Sequence, residues 1–214
     1  MHTPSLPWQA VFFDFDGVIA DSTDVKVRAF ATLFAPYGPA VQQAVVRYHL
    51  DNGGMPRHLK LRHCVHTFVG RTIDEAELEQ LGMAFSRQVF DAVVAAPLID
   101  GTLATLQQLQ QAGIPAFVVS GTPELEMRRI VTHKGLAPYF SEVHGSPRVK
   151  ADIVRDILAR HGFSPSQCLF IGDALADHRA ACATGLHFLG IVPAGRDSIF
   201  PPTVVTRAQV TLDG

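Results

Sequence analysis

Two carboxylates one residue apart, Asp14 and Asp16 in the run Asp14-Phe15-Asp16-Gly17, stand where an apolar stretch stops. Ala10–Phe15 (AVFFDF) reads as a buried strand ending at a sheet's edge, so both acids converge on one spot as the chain turns. Alone, the pattern also fits an acidic turn that caps backbone amides. Three further groups accompany it in chain order. Ser120-Gly121-Thr122 follows the apolar run Ile114–Ser120 and leads into a helix, where free N–H groups and the helix dipole favour an anion. Lys150 precedes a helix in GSPRVKAD. Asp173, with Asp177 four residues on, follows the apolar run Cys168–Gly172. Carboxylates, a cation and an anion seat gathered at strand ends are the parts of phosphoryl-transfer chemistry.

These residues need a scaffold that brings strand ends together. Apolar runs at Ala10–Phe15, Ile114–Ser120, Cys168–Gly172 and His187–Val192, with a weaker one at Phe140–His144, read as strands. Helical patterns separate the later ones. Gly101–Ala112 places Leu103, Leu106 and Leu109 on one face. Thr122 reads as an N-cap with Pro123 at the first helical position, opening a helix to about Lys134, and Ala151–His161 and Ala174–Thr184 are helical too. The alternation predicts an α/β fold, a Rossmann-like parallel sheet covered by helices on both faces.

Residues 23–96 break this rhythm with helical spacing alone, as at Leu78, Leu81, Phe85 and Val89. The expected organisation is an α/β core of residues 1–22 and 97–214 with an all-helical cap domain, 23–96, inserted after the first strand. The cap would then lie over the carboxyl end of that strand, where open α/β sheets place ligands.

The ordered set FFDFDGVIADS, SGTPE, GSPRVK and GDALAD resembles the four motifs of the haloacid dehalogenase-like hydrolase superfamily. The resemblance is to the phosphatase branch with an inserted helical cap, which takes in phosphoglycolate phosphatase-like and beta-phosphoglucomutase-like proteins. It implies that Asp14 is the nucleophile and Asp16 the general acid and then base. It makes Ser120, with Gly121 and Thr122, the phosphate seat and Lys150 the cation steadying nucleophile and phosphate. A magnesium ion would be held by Asp14, Asp16 through its backbone carbonyl, Asp173 and Asp177. An acid at Asp16 argues for phosphate esters over halides, because only an alkoxide leaving group needs a proton. The expected activity is magnesium-dependent hydrolysis of a small phosphorylated metabolite through an aspartyl phosphate. A phosphosugar mutase is the alternative, and a non-catalytic binding protein ranks below both.

Asp51–Arg57 (DNGGMPR) reads as a turn between two cap helices, with Arg57 able to reach the substrate's leaving group and His58 or Lys60 as possible helpers. His63, His66 and His178 receive no role. The three cysteines, set among apolar neighbours, are expected as reduced core thiols.

A chain of 214 residues with 47% hydrophobic content can bury a sizeable core. A net charge of −2 without a Lys/Arg run gives no field for nucleic acid. The opening residues lack a leader pattern and no apolar run is long enough for a membrane span, so a cytoplasmic protein is expected, its oligomeric state open.

Overall fold

The computed structural model describes residues 6–212; the opening Met1–Ser5 and the last two residues, included in the expected core boundaries and leader reading, lie outside them. Six parallel strands form one sheet in the order β3-β2-β1-β4-β5-β6. Their ranges are β1 Ala10–Phe13, β2 Ala116–Pro123, β3 Glu142–Ser146, β4 Cys168–Gly172, β5 His187–Ile191 and β6 Val205–Arg207.

All four residues of β1 are fully buried, and their alternation divides the core. Val11 and Phe13 pack with Leu106 and Leu109 of α5 (Thr102–Gln111) and Met127 and Ile130 of α6 (Glu124–His133). Ala10 and Phe12 face the other way, toward Ile153 and Ile157 of α7 (Lys150–His161) and Ala181 of α8 (Leu175–Thr184). Helices thus cover both sheet faces. The chain passes from β1 to β2 on one side and returns to β4 on the other, which leaves a crevice at the carboxyl end of β1.

Between β1 and α5 the described residues hold helices and no named strand: α1 Thr23–Phe34, α2 Pro39–Asp51, α3 Arg57–Cys64 and α4 Glu75–Ala95. Phe30, Val45, Leu61, Phe85 and Val89 form their shared interior. Phe30 and Phe85 meet with ring centroids 4.7 Å apart. The segment leaves and returns side by side: the Asp21 amide donates to the Pro97 carbonyl at 2.9 Å, and Ala20 bridges Leu98 antiparallel.

Several expectations need correction. Thr122 does not cap a helix; it stays extended within β2 and α6 begins at Glu124, because β2 continues past Ser120 to pair Pro123 with Ser146. Leu103 is exposed while Thr102 and Thr105 are buried, so the inner face of α5 is turned from the one its leucines suggest. Thr105 instead donates to the Val210 carbonyl at 2.6 Å. Cys64 and Cys168 are buried, but Cys182 is exposed on α8. The tail beyond Pro201, in which the sequence offers little pattern, supplies β6 and the buried Val210. Among the described residues, no helix is long and apolar enough to cross a membrane.

Candidate active site

Three adjacent strands deliver the site. Asp14 follows β1 directly, Ser120 to Thr122 occupy the end of β2, and Asp173 follows β4. Because β1 lies between β2 and β4, their carboxyl ends converge without help from long loops.

Lys150, the first residue of α7, sits between two acids. Its Nζ lies 2.8 Å from Asp14 Oδ2 and donates to Asp177 Oδ1 at 2.6 Å. All three side chains are buried. Burial alone would push the Lys150 ammonium down, but the charges of Asp14 and Asp177 outweigh it and raise it above its ordinary value. Asp177 also accepts the Ala174 amide through Oδ2 at 3.1 Å, which fixes the start of α8.

Oxygen atoms of Asp14, Asp173 and Asp177 lie within 4.8 Å of one another. Burial, with the charges of Asp14 and Asp177, pushes the Asp173 carboxyl well above the usual carboxylate range. Three acids gather here beside one ammonium, which contacts only Asp14 and Asp177, and the donors are all hard oxygens, a set suited to a divalent cation. Gly17 makes room for Asp173: a Cβ there would lie 2.0 Å from Asp173 Oδ2, and its φ of +77° favours glycine.

Asp16 sits in a separate network. Ser22 Oγ donates to its Oδ1 at 2.6 Å, and Lys26 Nζ donates to its Oδ2 and to Thr122 Oγ1, the latter at 2.6 Å. Burial pushes Asp16 up, yet the charge and hydrogen bond of Lys26 and the hydroxyl of Ser22 hold it below its ordinary value. Ser120 Oγ accepts the Thr122 amide at 3.1 Å.

The helical segment closes over these groups. A cavity of about 140 Å³ is lined by Asp14, Asp16, Gly121, Thr122 and Asp173 from the sheet and by Gly53, Gly54 and Lys60 from the segment. The turn between α2 and α3 rests on the site: a Cβ on Gly54 would lie 3.4 Å from Lys150 Nζ and 3.5 Å from Asp177 Oδ1. A Cβ on Gly121 would stand 2.7 Å from the Gly54 carbonyl oxygen. Bare backbone on both sides makes this approach possible.

Arg57 lines the same cavity, but its guanidinium is engaged elsewhere. It donates to both oxygens of Glu126 on α6 at 2.8 Å each and to Ser86 Oγ on α4 at 2.7 Å. His58 flanks a second groove on the outer side. His63 stacks on Tyr48 at 4.1 Å, and His178 meets Phe188 edge-on.

Sequence reasoning passed over Ser22, Lys26, His49 and Glu126. The first two carried a readable signal: four residues apart where a helix opens, they share one face directly after the acidic turn. Glu126 had none, because its partner is remote in sequence.

The sequence model of the haloacid dehalogenase-like hydrolase family matches residues 8–185. The chain belongs to this family and is a hydrolase. Its relatives include a phosphoglycolate phosphatase of Yersinia pseudotuberculosis, 29% identical over 195 residues, which cover 86% of this chain and 80% of that one. A predicted phosphoglycolate phosphatase from Haemophilus somnus has the same fold, with TM-score 0.72 at 20% identity over 94% of each chain. So does a beta-phosphoglucomutase from Clostridium difficile, with TM-score 0.72 at 17% identity over 86% of this chain and 85% of that one.

Proposed function

We propose that the protein is a magnesium-dependent phosphatase that hydrolyses a small phosphorylated metabolite through a phosphoryl group carried on Asp14. The observation that supports this most is Lys150 held between Asp14 and Asp177, with Gly121 and Thr122 lining the cavity into which Asp14 opens. A cation and the backbone at Gly121 thus flank the place where a phosphoryl group would meet a carboxylate nucleophile. The phosphatase names of its relatives point the same way.

In this reading an Asp14 oxygen attacks phosphorus, the ester bond breaks, and Asp16 gives its proton to the departing alkoxide. Asp16 then takes a proton from water, whose oxygen attacks phosphorus and releases inorganic phosphate and free Asp14. Lys150 and the Gly121 amide hold charge on the phosphoryl oxygens, with Ser120 Oγ fixing the turn by accepting the Thr122 amide. Lys26 favours the ionised form of Asp16, as the second half-reaction requires. Entry of a phosphate dianion offers Lys26 a competing partner and leaves Asp16 free to hold the proton the first half needs. Asp14, Asp173, Asp177 and the Asp16 carbonyl would hold magnesium, which supplies positive charge against the phosphate oxygens.

Residues 23–96 act in this reading as a cap that excludes water through the Gly53-Gly54 turn. The test is inorganic phosphate release from a panel of small phosphate esters, with chelator and Asp14→Asn as controls. Release that needs both metal and Asp14 supports the phosphatase. Sugar phosphate isomerisation without net release would replace it by the mutase.

A further inference from the structure

Among the described residues, Lys60 is a cavity cation that neither the chemistry above nor an ion pair engages. It is 4% exposed and forms no ion pair among the described residues. Its single hydrogen bond there runs to His49 Nδ1 at 3.0 Å, while the Phe30 ring lies below with Nζ 5.9 Å from its centroid. An ammonium carries three donors, so this one is buried and underused.

The surroundings make its retention costly. Burial, followed by the charge of Lys26, pushes Lys60 down to about 7; Lys150 acts in the same direction, while Asp16 and Cys64 oppose. His49 is pushed down to about 3, chiefly by burial and by Lys60 itself, so it is a neutral acceptor and no counter-ion. A hydrophobic side chain of similar length would fill this place at lower cost. Arg57, the neighbouring cation, is neutralised by Glu126.

We infer that Lys60 is the specificity-determining residue of the site, its ammonium receiving a carboxylate on the leaving-group end of the substrate while the phosphoryl end meets Asp14. This rests on the phosphatase reading and deepens it. The charge count selects a carboxylate over a second phosphate: one ammonium matches one negative charge, and a phosphate dianion would need the second cation that Glu126 occupies. The cavity of about 140 Å³, lined by both Asp14 and Lys60, suits a compact ester in which the two anionic ends are a few bonds apart. His49 positions the lysine and leaves its other donors free.

The experiment compares kcat/KM, with magnesium, for a matched pair of esters, phosphoglycolate and hydroxyethyl phosphate, which differ in a carboxylate against a hydroxymethyl group. The wild-type protein should prefer the carboxylate by about tenfold to a hundredfold, the range for a hydrogen bond to a charged group. The ratio should collapse toward one in Lys60→Met and in Lys60→Gln. A wild-type ratio near one, or a preference that both variants keep, overturns the inference. If neither ester is turned over, the wider ester panel judges the phosphatase reading, and thermal shifts of Asp14→Asn protein titrated with phosphoglycolate judge Lys60 by itself. A shift lost on adding Lys60→Met supports the carboxylate site, and one that persists, or none at all, overturns it.

Discussion

Arg57 and Glu126 form a two-pronged ion pair, both N–O distances 2.8 Å, that ties the helical segment to the sheet-covering helix α6. Both residues are buried, and Ser86 Oγ donates to the same Glu126 carboxylate at 2.5 Å. Burial pushes Glu126 up, but its bonds to Arg57 and Ser86 prevail and hold it below the usual 4.5. Its stabilising contribution is therefore complete above pH 4.5 and declines as pH falls below that value. Arg57→Ala should cost about 3–5 kcal/mol in urea unfolding at neutral pH, because it strands a buried carboxylate. Adding Glu126→Ala should recover part of that loss, and a double-mutant cycle measures the coupling.

The contact between Gly121 and the Gly54 carbonyl predicts a separation of activity from stability. Gly121→Ala places a methyl group 2.7 Å from that oxygen, so the turn must lift from Lys150 and Asp177. A displacement of about 1 Å at a reacting site costs on the order of a hundredfold in rate, and kcat/KM should fall accordingly. Gly82 is the control. It lies inside α4, where an added Cβ would have nothing within 4 Å, so Gly82→Ala should raise stability by about 1 kcal/mol and leave catalysis unchanged.

Lys60 predicts a pH signature. Its folded-state value of about 7 lies below the ordinary 10.5, so between these limits the unfolded chain binds a proton that the folded protein does not. Stability from this group must rise with pH across that window and carry its full penalty below it. Lys60→Met should melt several degrees higher than wild type at pH 6, and the gap should narrow toward pH 10 in thermal scans. A lysine that merely supported the fold would give the opposite sign.

The acids around Lys150 predict a metal response. Millimolar magnesium should raise the melting temperature of the wild-type protein by binding the folded state, and EDTA should reverse it. Asp173→Asn removes one of the three clustered carboxylates and should abolish the shift. The substitution should not unfold the protein, since Asp173 carries a repulsion that burial beside Asp14 and Asp177 makes unfavourable.

What could be read from the sequence was what the chain writes locally. The apolar runs of β1, β2 and β4 are short, and Asp14 and Asp173 stand just past the ends of β1 and β4, so period and position place these two together, while β2 runs on past Ser120 to Pro123. Lys150 and Asp177 were found from order along the chain, though nothing local foretold that one ammonium would bridge two acids. The misplaced start of α6 arose because Thr122-Pro123 carries a helix-opening signal that pairing with β3 overrides. Arg57 was expected at the substrate, and its engagement with Glu126 depends on how α3 meets α6, which no spacing encodes. β6 is three residues long with two of them exposed, too little pattern to distinguish from a tail.

β1 pairs with Ala116–Val118 on one side and with Cys168–Ile171 on the other. The strand at the centre of the sheet is therefore made before the helical segment, while both its neighbours follow only after the whole of that segment has been synthesised. The helices can gather around Phe30 and Phe85 in the meantime, from contacts close along the chain. Ala10–Phe13 cannot. During that interval it is a wholly apolar segment without a partner, and the time needed to translate residues 23–96 sets how long a nascent chain remains open to chaperones or to aggregation.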